Sequence, residues 1–195
     1  MEHTVIEFFD FSIQPQLNST KKYFEETLNQ LESKFTSTDP FSDSFSIMMK
    51  KSFLITTYSI LEKQLNILTL MVEKKSNTHL KREDLKHRGI HRDYTYLTKV
   101  AGITSPPYVL WEKVKVYNKI RNYFIHDIRV VVKYKDVIKM SNKFVPYINF
   151  EREQENKDRY IIKDIDPNII IDFLDTVETF LKFLWVEAYK KKYIA

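Results

Sequence analysis

The segment from Ser44 to Lys74 carries apolar side chains on nearly every face of a helix. Phe45, Met48, Met49, Phe53, Leu54, Ile55, Tyr58, Leu61, Leu65, Leu68, Met71 and Val72 leave it no fully polar side. A helix of that kind lies at the centre of a bundle or at an interface between subunits. Other helices must therefore cover it, and this constrains the fold before anything else is read. Ser42, Asp43 or Ser44 supplies its cap. Glu62, in its middle, is either a rim carboxylate facing water or a buried acid that must find a cationic partner.

The flanking segments fill in the architecture. In Thr4–Ile13, Phe9, Phe11 and Ile13 alternate with Asp10 and Ser12, the pattern of a short half-buried strand, which Pro15 ends. From Gln16 to Phe35, Leu17, Phe24, Leu28, Leu31 and Phe35 recur at helical spacing, and Ser37-Thr38-Asp39-Pro40 breaks that helix. Residues 75–104 are polar, with one dense basic stretch, Lys86-His87-Arg88-Gly89-Ile90-His91-Arg92. Ser105 and Pro106 then open a helix that runs to about Ile128. Its stripe is Leu110, Val114, Tyr117, Phe124 and Ile128, and the missing place in that series falls on Arg121.

Arg129–Tyr134, Phe144–Phe150 and Arg159–Lys163 read as short strands, with Glu151–Asp158 as a hairpin loop or flexible excursion. Asp166-Pro167 caps a last helix whose buried face is Ile170, Phe173, Leu174, Val177, Leu181, Leu184 and Trp185. Lys190–Lys192 complement the dipole at its end. The expected fold is mainly α: a bundle of four or so helices with a small sheet inserted before the last one. It is read as one domain over 1–195, with the β-rich insert at about 129–165.

Composition removes several function classes. The 195 residues include 2 Gly, which meet neither the dinucleotide fingerprint nor the phosphate-cradling Walker loop. With no Cys there is no disulfide, thiolate zinc site, iron–sulfur cluster or cysteine nucleophile. Neither a GxSxG elbow nor an HExxH pair occurs. The carboxylates Asp164, Asp166, Asp172 and Asp175 read as caps and solvated positions, not as a hydrolytic pair. His87 and His91 stand one helical turn apart, but Gly89 lies between them and no third ligand is evident, which argues against a metal site. The net charge of +5 permits a polyanionic partner. No signal-peptide pattern opens the chain, and no apolar run approaches the ~18 residues needed to span a membrane, so a cytoplasmic protein is expected.

The segment that carries chemistry is Arg121-Asn122-Tyr123-Phe124-Ile125-His126. The spacing alone is weak, because Arg82 and His87 share it. Context separates the two pairs. Arg82 is followed by Glu83 and Asp84 and reads as solvated, whereas Arg121 falls on the core-facing stripe of a capped helix. At about 100° per residue, Arg121 and His126 point roughly 140° apart, while Asn122 and His126 share a face. A guanidinium on an apolar stripe is costly unless it is paired or lines a cleft, and Glu62 is a candidate partner.

A neutral His can take the proton of an RNA 2′-OH as general base, and a neighbouring Arg disfavours the imidazolium and stabilises the growing charge on the phosphorane. That chemistry needs no metal and no cofactor. It leaves a 2′,3′-cyclic phosphate and a 5′-OH. One His is poorly placed to act on both sides of phosphorus, so a second copy from a two-fold mate is attractive. The competing reading makes His126 a complement to the helix dipole and Arg121 a buried ion-pair member. Lys86, Arg88, Arg92 and Lys119 are candidate RNA-binding residues, with an ordinary solvated surface as the alternative.

At these residues the chain resembles the HEPN domain family, helical domains named from higher eukaryotes and prokaryotes nucleotide-binding. The family's mark is an Arg and a His separated by four to six residues, with Asn, Asp or His commonly just after the Arg, and Arg121, Asn122 and His126 fit it. Thr57-Tyr58-Ser59-Ile60-Leu61-Glu62-Lys63 on the preceding helix is similar as well. The resemblance covers roughly Phe41–Ile128 and the last helix. It implies a HEPN-like bundle of four to five helices and a metal-independent endoribonuclease whose homodimer forms a composite active site. It further implies a place in antiphage defence or a toxin–antitoxin system, with a neutralising antitoxin or defence partner. Catalytic roles would fall to Arg121 and His126, with Asn122 in support. Some family members have no demonstrated cleavage, so a non-catalytic module that binds nucleotide, RNA or a protein partner stays open. In one branch a tyrosine two positions after the His is modified by a partner nucleotidyltransferase; here that position is Ile128.

Overall fold

In the computed structural model, residues 2–34, 42–126, 131–133, 137, 148–154 and 158–194 are described. The elements are α1 (Glu2–Ser12), α2 (Gln14–Lys34), α3 (Ser42–Lys75), α4 (Gly89–Thr95), α5 (Tyr108–His126), β1 (Val131–Lys133), β2 (Ile148–Arg152), β3 (Arg159–Ile165) and α6 (Asn168–Lys190). The protein is mainly α, with a small antiparallel sheet placed before the last helix. No helix among the described residues is long and apolar enough to cross a membrane.

The residues group into two compact units. One comprises Met1–Asn18, Ser59–Trp111 and Val177–Ala195; the other comprises Ser19–Tyr58 and Glu112–Thr176.

In the first unit the N-terminal segment is helical, where alternation had suggested a strand. Phe9 in α1, Ile13 in the turn after it and Leu17 in α2 are buried and four residues apart, the spacing of a helical stripe and not of a strand. Phe11 decides between the two patterns: a strand would bury it with Phe9 and Ile13, but it is 84% exposed. Pro15 does not end the element. It sits in the first turn of α2, where its missing N–H is not needed. Leu61, Leu65, Leu68 and Val72 from the second half of α3 are buried, as are Leu181, Leu184 and Trp185 from the second half of α6. The Phe8 ring packs on Trp185 with centroids 5.0 Å apart.

The polar stretch 75–104 is ordered by a single 3₁₀ turn at Arg82–Asp84, by α4, and by a π-helical turn at Tyr96–Val100 that buries Tyr96 and Leu97. The N–H of Ile103 bonds to Leu97 O at 2.9 Å, which closes that turn.

In the second unit, Val114, Tyr117, Ile120 and Phe124 form the buried face of α5. Ile120, not the residue at 121, fills the place that the stripe left open. Helix α5 begins two residues later than Pro106 suggested; Pro107 O accepts from Leu110 and Trp111 N–H. The Tyr117 ring stacks on Phe173 of α6 at 4.0 Å. Asp172, expected to be solvated, is bonded to both the Lys113 ammonium and the Tyr117 hydroxyl, and so ties α5 to α6.

Asp166 does cap α6: its Oδ1 accepts from Asn168 N–H at 2.8 Å. The sheet order is β1-β3-β2, all antiparallel, with Val132 opposite Tyr160 and Arg152 opposite Tyr160 on the other side. The β2–β3 pair is a hairpin, closed by Glu153 N–H to Arg159 O at 3.0 Å. The expected helix breaker at Ser37–Pro40, the stripe member Ile128 and the strand start at Phe144 lie outside the described residues.

Candidate functional site

The last two turns of α5 carry the motif. Arg121 sits next to the buried Ile120 and is half-buried itself, at the flank of the core stripe. Its Cζ lies 4.9 Å from the centroid of the Tyr58 ring. Tyr58 is on α3 and its ring is buried, so this is a cation–π contact on a desolvated face, worth about 1–2 kcal/mol. Arg121 Nη1 donates to Asn122 Oδ1 at 3.0 Å. Its Nε is shielded from solvent and has no hydrogen-bond partner among the described residues. Asn122 is exposed.

The ring thus takes one face of the guanidinium and the neighbouring amide takes one arm, while further donors of Arg121 have no partner among the described residues. An aromatic partner answers the cost that the sequence assigned to this arginine. Lys51 Nζ lies 5.5 Å from the Phe124 ring centroid in the same unit and adds a second cation there. His126 is the last residue of α5; its side chain lies outside the described residues.

The basic stretch belongs to the other unit. Lys86, His87 and Arg88 are exposed, and Arg92 is half-buried. Lys119, in the unit of Arg121, is half-buried on α5. His87 and His91 have ring centroids 6.4 Å apart, and His91 packs its ring at 70° to Trp111, 5.3 Å away. Among the described residues, no group of three or more His, Cys, Asp or Glu side chains is placed to hold a metal ion.

Sequence reasoning missed Arg82. Its neighbours Glu83 and Asp84 suggest a solvated position, yet its side chain is 15% exposed and forms an ion pair with Asp93, whose side chain is 1% exposed. Arg82 Nη2 also reaches Asp93 Oδ2 at 3.3 Å, and Nη1 donates to Asn66 Oδ1 on α3. The Arg82 backbone N–H donates to Glu73 Oε1 at 2.7 Å. Burial pushes the Asp93 carboxyl above its ordinary range, against the pull of Arg82 and of Arg92; the Glu62 charge pushes the same way as burial.

Asn66, Arg82 and Asp93 line a cavity of about 410 Å³ with Ser59, Glu62, Lys63 and Gly89. Gly89 has φ +55°, and a Cβ there would stand 3.1 Å from Glu62 Oε1. The position therefore favours glycine on both backbone and spatial grounds. Glu62 is half-buried and lines this cavity beside Arg82 and Asp93. One signal for the segment was in the sequence: Ile90, Tyr94 and Leu97 stand at helical spacing among the charges.

Compared with known proteins, the chain matches no family model, no curated protein and no solved structure.

Proposed function

We propose that the protein is a metal-independent endoribonuclease of HEPN type, acting in antiphage defence or a toxin–antitoxin system. The observation that carries this reading is the setting of Arg121. Its guanidinium is held by the Tyr58 ring and Asn122 at the end of a helix that terminates in His126. Among the described residues a ring face and an amide, not a carboxylate, hold this guanidinium, which leaves its charge for an anionic ligand.

In the proposed reaction His126 takes the proton of the 2′-OH, and the 2′-oxygen attacks the adjacent phosphorus. Arg121 offsets the charge that grows on the non-bridging oxygens, and Asn122 orients the guanidinium. The 5′-oxygen leaves and gains a proton, which the second His of a homodimer is suited to supply. Lys86, Arg88, Arg92 and Lys119 supply phosphate contacts to the RNA. A neutralising antitoxin or defence partner fits the same reading.

The test is cleavage of RNA by the purified chain in excess EDTA. Cleavage that persists in EDTA, and that is lost in folded Arg121→Ala and His126→Ala variants, supports the assignment. A deoxyribose at the scissile position must abolish it; continued cut at that position excludes 2′-OH attack. Intact RNA at high protein concentration, with salt-dependent binding, instead identifies a non-catalytic RNA-binding module.

A further inference from the structure

We infer that α4, the basic loop before it and the first turn of α5 form a stacking platform for single-stranded RNA, an inference that rests on the ribonuclease reading. Its basis is a row of rings within one compact unit. His87 is exposed and stands 6.4 Å from His91, which in turn meets Trp111 edge-on at 5.3 Å. Trp111 lies flat on Tyr94, 3.8 Å apart and 10° from parallel, and the buried Phe180 backs it at 5.7 Å. Tyr94 and Phe180 therefore hold the indole in place. Tyr108 is 75% exposed and three residues before Trp111, on the same face of α5.

The inner rings serve packing, but the outer ones do not. Tyr108 and His87 bury little of themselves, so the fold gives no reason for a ring at either place. Lys86 and Arg88, both exposed, bracket His87 and put positive charge beside the outer ring. Ring faces next to cations suit a chain that alternates bases with phosphates. They suit a single strand, because a duplex hides its base faces. An acidic peptide would use the cations and leave the rings idle. Stacking is tolerant of sequence, so little base preference is expected at this surface.

The platform also has a fixed mount. Gly89 and Asp93 face the cavity and the Arg82 pair, whereas His91 meets Trp111 and Tyr94 lies flat on it. Helix α4 is thus anchored on one side and presents its rings on another.

The test uses the full chain carrying His126→Ala, so that RNA is not consumed, and a fluorescent single-stranded oligouridylate followed by anisotropy across salt concentrations. Tyr108→Ala should weaken binding about tenfold with the salt slope unchanged, and Tyr108→Phe should restore it. Replacing both Lys86 and Arg88 by Ala should weaken binding and lower the slope by about 1.4, at about 0.7 per phosphate contact on single strands. Unchanged binding in the Tyr108→Ala and Lys86/Arg88 variants, where the chain with His126 intact cleaves RNA, overturns the platform and leaves the ribonuclease reading standing. Equal affinity for duplex RNA or for polyglutamate overturns it as well. A wild-type chain that neither binds nor cleaves RNA overturns both.

Discussion

The Arg121 guanidinium lies over the face of the buried Tyr58 ring, 4.9 Å from its centroid. This contact joins the motif-bearing helix α5 to the first half of α3 within one compact unit. It holds the cation at the flank of an apolar stripe without neutralising it. Among the described residues the ring and the Asn122 amide, not a carboxylate, hold the guanidinium.

Tyr58 variants test that arrangement. Tyr58→Phe keeps the ring face and should leave RNA cleavage within about threefold of wild type, at a stability cost of about 1 kcal/mol for the lost hydroxyl. Tyr58→Leu keeps the apolar bulk but removes the face, and should lower kcat/KM about tenfold, equivalent to about 1.4 kcal/mol. Equal loss in both variants would point to the hydroxyl, not to the cation–π contact. Steady-state kinetics on a single oligoribonucleotide, beside urea unfolding of each variant, separates rate from stability.

Arg82 and Asp93 form an ion pair largely shielded from water. Removing one partner strands a charge in a shielded place, so Asp93→Ala should cost about 3 kcal/mol in urea unfolding. Arg82→Met together with Asp93→Leu should cost clearly less than the two single changes added together. Additive losses would show that the two side chains do not interact.

Asp93 also sets a direction for pH dependence. Its native carboxyl titrates above the ordinary value, so between the two the native state holds a proton that the unfolded chain lacks. The contribution of this group to stability therefore grows as pH falls through its native value, and it is lost as pH rises. Asp93→Asn should flatten the stability profile on the alkaline side of the ordinary aspartate range relative to wild type. Carboxyl ¹³C shifts read the titration directly, and an Asp93 midpoint below the usual aspartate range contradicts the assignment.

The N-terminal helix makes a local prediction. Phe9→Ala should cost about 3–4 kcal/mol, because that ring is buried, whereas Phe11→Ser should stay within about 0.5 kcal/mol. A strand with both rings on one buried face would make the two losses similar. Thermal or urea unfolding of the two variants decides.

How much was legible in the sequence depended on how far one pattern determines one structure. The run from Ser44 to Lys74 is too long and too apolar for anything but a helix, and α3 spans Ser42–Lys75. Asp166 announced its cap because an acceptor side chain before a proline and an apolar run has few other uses. Phe9, Phe11 and Ile13 misled because a spacing of four is also a multiple of two; only Phe11 distinguishes helix from strand, and its exposure is a tertiary fact. Arg82 misled because its sequence neighbours, Glu83 and Asp84, are solvated while its partners Asn66 and Asp93 are 16 and 11 residues away. The stripe of α5 left its gap at 121, but a step of three from Tyr117 reaches Ile120, which takes the core position and moves Arg121 to the flank. Tyr58 gave no sign of its role, since nothing local to it refers to α5.

The chemistry of the cut ends distinguishes attack by the ribose from attack by water. RNA digested by the purified chain in excess EDTA, with its products weighed by mass spectrometry, should carry a 2′,3′-cyclic phosphate on one fragment and a 5′-hydroxyl on the other, and folded His126→Ala should yield neither. A 3′-hydroxyl facing a 5′-phosphate would mean that water, not the ribose, attacked phosphorus, and would contradict the roles given to Arg121 and His126.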